Sequence, residues 1–587
     1  MALACVATPA AAHGFGQRYD LPIPLSFYLV GTALAVVISF LVVALFAREV
    51  PRPRAYPRID LLATRAGGLI SHPALASALK LLALGVFIIT IDAGLRGDQN
   101  PYRNLAPTMV WIIGWVGLAY VSAFIGNIWA LINPWRTIFE AIETLYQGGS
   151  GGRSLSLRLR YPAGLGQWPV VVLLLVFSWI ELVYPDPAWP RLIAVLALAY
   201  SLLTLAGMWL FGRDCWLENG EVFTAVFGTF ARFAPLELRT GQHPHLWLRP
   251  FGAGLLDSRA VTTSGMAFVL LLLATVLYDG ALGTPEWGRL EGALTDHIQV
   301  LGELGPMLIR TAGLLVFWLA FLGAYVGVSA GMSAATGGRT PPLAIARAFA
   351  LTLVPIAIGY HLAHYLTYLL IQGQYVIPLV SDPFGFGWNL FGTASYRVDI
   401  GIVGPRFAWY AAVTAILLGH IAAVHLAHRK AFELFDARAL ALRSQIPLTA
   451  LMVVYTFVSL SILAEPIVQR AAPAAPEAPA AALAVPADAV RPEPVSGRLQ
   501  RAGAGAPARQ KLIYRVLGSA FHDGSRMSAA DLVYSYMFAY RWGGGDPPAD
   551  PSIAAATAVM RARLLGFRVL GTDSKSKSFR IGDFEVT

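Results

Sequence analysis

The sequence predicts an all-α polytopic membrane protein with about ten transmembrane helices, followed by a separate C-terminal piece. Of its 587 residues, 56% are hydrophobic and only 13% are charged, whereas a soluble domain carries about a quarter charged residues. Long apolar segments run from Leu21 to Glu465, and basic residues fall into every second connection between them. The two cysteines, Cys5 and Cys215, form neither a disulfide framework nor a metal cluster.

The apolar segments have the length that a membrane crossing needs. A helix spans the hydrocarbon core with about 20 apolar residues, and the runs between charged connections reach this length. The predicted crossings lie near 22–47, 76–95, 106–132, 164–184, 190–211, 260–280, 305–332, 343–372, 406–427 and 446–466.

The placement of arginine and lysine predicts the orientation. Cytoplasmic loops carry an excess of these residues, and here alternate connections are basic, while the one near 280–305 is acidic. The alternation predicts an even number of crossings in a bacterial inner (plasma) membrane, with both termini outside, in the periplasm. The basic connections hold Arg48, Arg52, Arg54, Arg58 and Arg65, then Arg136, Arg153, Arg158 and Arg160, then Arg213, Arg232, Arg239 and Arg249, then Arg339 and Arg347, then Arg429, Lys430, Arg438 and Arg443.

The formal net charge of +10 has the same explanation. The basic residues lie in short loops beside apolar spans, where membrane topology accounts for them. We therefore predict that the partner is the lipid bilayer and that the protein binds no nucleic acid.

The N-terminus resembles the end of a signal peptide. Ala10, Ala11 and Ala12 precede His13, as small residues precede a cleavage site. Residues 1–12 are therefore predicted to be a signal-peptide remnant and 13–469 the multi-pass domain. Cleavage after Ala12 would give His13 a free amine beside its imidazole, a pair that chelates copper. The alternative is that His13 simply follows the cleavage site.

Three histidines within the apolar spans are the candidate intramembrane site. His361 and His364 are one helical turn apart in the eighth span, and His420 lies at a similar depth in the ninth. Three imidazoles facing one cavity would bind a transition metal, ligate haem or relay protons. The alternative is that they are structural groups bonded inside the bundle. We expect Glu181 and Asp279, near the outer span ends, to be solvated.

Two segments at cytoplasmic span ends have similar residues. One runs from Trp129 through Asn133 to Glu140, and the other from Arg213 through Glu221 to Phe223. Each combines Trp, Asn, an acid and Phe, which suggests a faint internal repeat of the kind found in transporters.

The chain changes character after the last span. Residues 470–510 are rich in Ala and Pro and predict a semi-extended linker. Residues 511–587 then begin with a strand, a turn at Phe521-His522-Asp523-Gly524, and a helix capped by Ser528 and Asp531. This segment is too short to bury its apolar helix, so we expect that it does not fold alone.

The segment from Phe521 to Ser535 resembles the signature of the extracytoplasmic solute-binding proteins of peptide and nickel ABC importers (family 5). The resemblance implies a truncated extracytoplasmic α/β solute-binding domain over 511–587, because the family's domain is far longer. In that family the signature is scaffold and holds no ligand, so no binding residue is implied. The implied scaffold residues are Phe521, His522, Asp523, Gly524, Ala529 and Asp531.

The membrane half resembles a bacterial multi-pass family, some of whose members are labelled fenitrothion (organophosphate) hydrolase. The resemblance rests on the opening from His13 to Pro24, on Gly419-His420 and on Ala427-His428. It implies a hydrolase, but the sequence has no carboxylate-rich binuclear metal site for that chemistry.

Two functions follow from these observations. The first is a transport-associated membrane protein with a tethered periplasmic domain that captures a small solute or peptide, working with ABC permease and ATPase subunits because the chain has no Walker motif. The second is a membrane-embedded metal or haem redox protein, or a hydrolase, that uses His361, His364 and His420. The first function is preferred, because the predicted topology places the C-terminus outside and the C-terminal segment resembles an extracytoplasmic binding protein. No catalytic residue is identified.

Overall fold

The computed structural model describes residues 21–46, 56–64, 67, 72–239, 245–256, 261–302, 304–467, 483–503, 505–508, 512–517, 528–571 and 580–586. His13 and the turn Phe521, His522, Asp523 and Gly524 lie outside these residues. The chain divides into two compact units, Met1–Arg470 and Ala471–Thr587.

The first unit is a helical membrane domain. Within the described residues, nine helical segments are long and apolar enough to cross a bilayer. They are Leu25–Phe46, Pro73–Arg96, Leu105–Phe124, Pro190–Phe211, Thr263–Leu282, Leu304–Ala335, Pro342–Ser381, Pro405–Leu434 and Arg438–Glu465. The helices are α1 (Leu25–Phe46), α2 (Pro73–Arg96), α3 (Leu105–Phe124), α4 (Trp129–Ile132), α5 (Pro134–Gly149), α6 (Trp168–Leu182), α7 (Pro190–Phe211), α8 (Arg213–Asn219), α9 (Val222–Ala231), α10 (Thr263–Leu282), α11 (Pro285–His297), α12 (Leu304–Ala335), α13 (Pro342–Phe349), α14 (Val354–Gln372), α15 (Val376–Ser381), α16 (Pro405–Leu434) and α17 (Arg438–Ile467).

The fourth predicted crossing is a shorter helix, α6, of 15 residues. It runs beside α10 in the same direction. At one end the Gln167 backbone N–H donates to Ser264 Oγ (2.9 Å). At the other end Tyr365 joins Glu181 of α6 to Asp279 of α10. Helix α6 therefore covers the same depth as α10 from Ser264 to Asp279, although it is shorter than a typical crossing.

Helices α10, α14 and α16 form the centre of the bundle. Helix α10 is buried along most of its length. Helices α14 and α16 touch at Gly359 and Gly419, where a Cβ on either residue would lie 2.6 Å from a backbone oxygen of the other helix. Small residues of this kind let two helix backbones approach closely in a membrane. The contact places His361 and His420 close to the same level.

Two short helix pairs enter the bundle and turn back inside it. The third predicted crossing, 106–132, is in fact α3, a turn, and then α4, which leads into α5. The Trp135 ring at the start of α5 lies 5.4 Å from that of Phe87, near the middle of α2. Likewise α8 leads to Glu221, which Tyr200 contacts near the middle of α7. Broken helices of this kind occur where protein surrounds the backbone.

A small antiparallel sheet closes the unit beside α9. Its strands are β1 (Ile59–Asp60), β2 (Leu236–Arg239) and β3 (His245–Leu248), in the order β1-β3-β2. The buried Arg249 guanidinium donates to Glu237 (2.6 Å) and to the carbonyl oxygens of Ala231 and Ala234 (3.0 and 3.2 Å). It therefore satisfies carbonyl groups at the C-terminal end of α9.

The described residues of the second unit form antiparallel strands and two helices. The elements are β4 (Leu483–Ala484), β5 (Val490–Pro492), β6 (Leu499–Arg501), β7 (Pro507–Ala508), β8 (Leu512–Leu517), α18 (Ala529–Gly543), α19 (Pro551–Arg563), β9 (Phe567–Gly571) and β10 (Arg580–Val586). The strands pair in the order β6-β5-β9-β10-β8, and β4 pairs with β7. Tyr540, Leu564 and Phe567 form a buried core.

This unit differs from the predicted division at residue 510. Strands β5 and β6 belong to the same sheet as β9 and β10, so residues from the predicted linker 470–510 are part of the folded unit. Strands β5 and β6 are only three residues long and pair with each other locally, and β5 joins the rest of the sheet through the pairing of Val490 with the distant Phe567. The helix cap at Ser528 and Asp531 is confirmed, with the Ser528 N–H donating to Asp531 Oδ2 at 2.6 Å.

Candidate functional site

Two carboxylates, a histidine and a tyrosine meet inside the bundle near the predicted outer end of the spans. Tyr365 Oη lies 2.7 Å from Asp279 Oδ2 and 3.3 Å from Glu181 Oε1. His364 Nε2 lies 2.9 Å from the same oxygen of Asp279. We call Glu181, Asp279, His364 and Tyr365 the acidic cluster.

The packing of three helices brings these side chains together. Helix α14 supplies His364 and Tyr365, while the parallel helices α6 and α10 supply one carboxylate each. Gly280 leaves room beside them, because a Cβ there would lie 2.8 Å from Tyr360 Oη and 3.9 Å from His364 Nδ1. The glycine therefore keeps Tyr360 close to the acidic cluster.

The hydrogen bonds of the acidic cluster favour a shared proton. The Tyr365 hydroxyl has a single hydrogen and donates it to one carboxylate at a time. Its bond to the second carboxylate then needs a proton on that carboxyl group. Two carboxylates that share a site also disfavour the doubly charged state. Proton exchange among Glu181, Tyr365, Asp279 and His364 therefore needs only short movements.

The structure separates the three predicted histidines. His364 belongs to the acidic cluster, whereas His361 points to another side of α14. His361 is 3% exposed, and neither ring nitrogen has a hydrogen-bond partner among the described residues. Four aromatic rings surround it at centroid distances of 4.8–6.0 Å, those of Trp115, Tyr120, Phe230 and Tyr365.

His420 faces a different neighbour, Tyr455, with ring centroids 5.8 Å apart. Its Nδ1 contacts the Ile416 carbonyl oxygen of its own helix (2.8 Å). The described residues contain no group of three or more His, Cys, Asp or Glu side chains arranged to hold a metal ion. The three histidines therefore do not form one ligand set.

Tyrosines nevertheless connect His420 to the acidic cluster. The Tyr455 ring lies 6.3 Å from that of Tyr360, and the Tyr360 ring lies 6.3 Å from that of His364. In the described part of the chain, no hydrogen-bond partner reaches Tyr360 Oη, Tyr455 Oη or His420 Nε2, although all three atoms are buried. This row of polar groups therefore runs through the buried interior of the bundle from His420 to His364.

A second buried carboxylate, Glu221, lies where the two broken helix pairs meet. Its side chain is 0% exposed and caps α9, while Asn133 caps α5. The two similar segments noted in the sequence thus contact each other through their caps. None of the groups that donate to Glu221 carries a full charge. The donors are Trp129 Nε1, Asn133 Nδ2, Tyr200 Oη, the Phe223 and Thr224 backbone N–H groups, and Thr224 Oγ1.

A cluster of ion pairs lies at the predicted cytoplasmic end of α2 and α7. Glu140 accepts from Lys80 (2.8 Å), Arg136 (2.9 Å) and Arg213 (3.1 Å). Burial raises the pKa of Glu140, but the hydrogen bonds from Lys80 and Arg136 outweigh burial and lower it below its ordinary value. The cluster fixes the first half of α5 against α2 and the first residue of α8, and each of its charged groups is paired.

Sequence reasoning missed the contacts of Glu181, Asp279 and Glu221. We expected the first two to be solvated; Asp279 is 25% exposed, and both carboxylates also contact Tyr365. The available signal was that Glu181 and Asp279 stand at matching positions near the ends of two helices that run in the same direction, opposite a His-Tyr pair.

In the second unit, Ala529 and Asp531 lie at the start of α18. Asp531 is part of the helix cap, and hydrogen bonds from Ser528 lower the pKa of its carboxyl group. Asp531 therefore stabilises the start of α18.

Comparison with known proteins provides no further identification. No family model matches the chain, and no curated protein or solved structure shows a significant similarity to it.

Proposed function

We propose that the protein is a transport-associated membrane protein in which proton binding at the acidic cluster is coupled to movement of a solute. The observation that supports this most directly is the Tyr365 hydroxyl held between Asp279 and Glu181. Ionisable groups within membrane spans are costly and are usually functional. Here two of them share one hydroxyl, an arrangement that binds and releases a proton.

The position of the cluster supports an exchange with water on one side. Asp279 is 25% exposed and His364 12%. Glu181 and Asp279 lie within one turn of the C-terminal ends of α6 and α10. The positive-inside pattern assigns these ends to the outer side. Proton entry from the periplasm therefore requires only local rearrangement.

The second unit contributes to the proposal through its sequence. The resemblance of Phe521 to Ser535 to solute-binding proteins, and the predicted periplasmic position, both favour a tethered solute-capture domain. A tether raises the effective concentration of captured solute near the membrane domain. Reporter fusions test the orientation: we expect a fusion after Arg443 to be cytoplasmic and one after Ala480 to be periplasmic. A cytoplasmic reporter at Ala480 would contradict solute capture.

Infrared difference spectroscopy of the purified full chain in nanodiscs tests proton binding. Titration should reveal a carboxylic acid C=O band that is lost in Asp279→Asn and altered in Glu181→Gln. Asp92→Asn is the matched control, because Asp92 also lies near the end of a span but pairs with Arg96 on the same helix at 2.6 Å. An unchanged band in both cluster variants would exclude the acidic cluster as the proton site.

The alternative is a metal or haem redox protein, or a hydrolase, that uses the intramembrane histidines. One observation favours it, namely that both ring nitrogens of His361 have no partner among the described residues. The surroundings do not fit the alternative, because four aromatic rings rather than further ligands face this imidazole. Metal analysis and an absorption spectrum of the purified protein test it, and a Soret band would support haem.

A further inference from the structure

An apolar cavity of about 320 Å³ lies between α2, α3, α6 and α7, and the first residues of α5 and α9 also line it. Its volume is within the range of small-molecule sites, about 300–1,000 Å³. Aromatic rings dominate its wall, and several pack against each other at centroid distances of 5.0–6.0 Å. The rings belong to Phe87, Trp111, Trp135, Phe177, Tyr200 and Phe223.

The N–H and O–H groups of these rings already donate hydrogen bonds to other protein groups. Trp111 Nε1 donates to the Pro187 carbonyl oxygen (2.9 Å). Trp135 Nε1 donates to Ser201 Oγ (2.8 Å). The Tyr200 hydroxyl donates to Glu221 (2.7 Å). A polar ligand would lose its hydration in this cavity and gain no hydrogen bond from these rings, so the site selects an uncharged apolar molecule.

The cavity opens between α6 and α7 toward the lipid. Its lining residues Val176 and Leu203 are 48% and 44% exposed. Lipid tails are as apolar as leucine side chains, so an acyl chain gains little by leaving the bilayer for this cavity. An aromatic ring gains edge-to-face contacts with the wall, each worth about 0.5–1.5 kcal/mol.

We propose that this cavity binds a small, uncharged aromatic molecule that enters from the bilayer. Helix α6 links the cavity to the acidic cluster, because Phe177 and Ile180 line the cavity and Glu181 follows directly. The assignment of the bound molecule as the transported solute rests on the proposed function, whereas binding itself does not.

Radiolabelled naphthalene is the probe, and the full-length protein in nanodiscs is compared with empty nanodiscs. We expect saturable binding at one site per chain. Ala197→Trp should fill the cavity and weaken binding by about tenfold or more. Leu202→Trp is the matched control, because Leu202 lies on the same helix, is 71% exposed and does not line the cavity. The Leu202→Trp protein should bind naphthalene as tightly as the unmodified protein.

Phe177→Leu provides a second variant in case Ala197→Trp does not fold. It removes a ring and keeps an apolar side chain, so binding should weaken by about two- to tenfold. An absence of saturable binding to the unmodified chain would overturn the proposal. Displacement of naphthalene by hexadecane as effective as that by anthracene would also overturn it, since it would indicate an acyl-chain site. Normal binding by Asp279→Asn would separate this site from the proton function.

Discussion

Glu221 and Asp279 are both carboxylates inside the membrane domain, but they differ in the kind of group that they contact. Glu221 is fully buried and accepts six hydrogen bonds from Trp129, Asn133, Tyr200, Phe223 and Thr224. Asp279 shares the single Tyr365 hydroxyl with Glu181 and faces one imidazole. Hydrogen bonds to the charged form stabilise a carboxylate as an anion. A carboxylate that accepts from several neutral donors is held as an anion, whereas one that shares a hydroxyl with a second carboxylate suits the proton binding that we propose for the acidic cluster.

The largest effect is expected for Glu221→Gln. Whichever way the amide is turned, its NH₂ group would face at least two donors, and each unmade buried hydrogen bond costs about 1–3 kcal/mol. We expect the free energy of unfolding to fall by about 3 kcal/mol, seen as a lower thermal midpoint in detergent. Glu218→Gln is the control, because Glu218 lies nearby in α8 and is exposed. Equal midpoints for the two variants would contradict the anchor role.

Gly280→Ala should have an intermediate effect. The new methyl group would lie 2.8 Å from both Tyr360 Oη and Ile462 Cγ2, and overpacking of this kind costs about 1–3 kcal/mol. It should also shift the carboxyl band of the acidic cluster, because it pushes Tyr360 from its place. Gly288→Ala is the control, since nothing lies within 4 Å of its Cβ position. An unshifted band would show that Tyr360 does not influence the cluster.

Asp279→Asn should barely change stability while removing proton binding. The amide oxygen still accepts from Tyr365 or His364, so we expect a loss below about 1 kcal/mol in thermal unfolding. The difference between the stability losses of Asp279→Asn and Glu221→Gln tests most directly whether the two carboxylates have different roles. A loss as large as that for Glu221→Gln would make Asp279 a structural anchor as well.

The smallest effect is expected for Glu140, at the predicted cytoplasmic end. Its pKa is lowered in the folded protein, so its ion pairs stabilise the fold above the unfolded pKa. That stability is lost as the pH falls through the lower, folded pKa. Glu140→Gln should cost about 0.2–1 kcal/mol near pH 7, and the difference from the unmodified protein should vanish in acid. A stability difference between Glu140→Gln and the unmodified protein that grew on acidification would contradict a lowered pKa of Glu140 in the folded protein.

Histidine variants extend the comparison to His361. We expect His361→Ala and His364→Ala to impair function more than His425→Ala, because His361 is buried and His425 is exposed. A complementation assay measures this effect. If all three variants complement equally well, His361 and His364 have only a structural role.

Local patterns in the sequence predicted the elements that depend on near neighbours. Apolar runs identified the helices, and the cap at Ser528 and Asp531 formed as expected. The antiparallel contact of Gly359 and Gly419 also agrees with the expected common depth of His361 and His420. By contrast, hydropathy merged α4 with the predicted crossing 106–132, although α4 is a separate short helix. The reason is that a helix that turns back inside the protein is as apolar as one that crosses the membrane.

The sequence by itself determined that this chain is a multi-pass helical membrane protein, because the cost of exposing backbone groups to lipid forces long apolar segments into helices. Only the tertiary structure decided which polar side chains meet. Asp279 and His364 are 85 positions apart, and Glu181 and Tyr365 are 184 apart. Helix propensity and hydropathy fix the depth of a residue in the membrane. The lateral packing of helices fixes its neighbours, and that packing depends on small-residue contacts spread over the whole bundle.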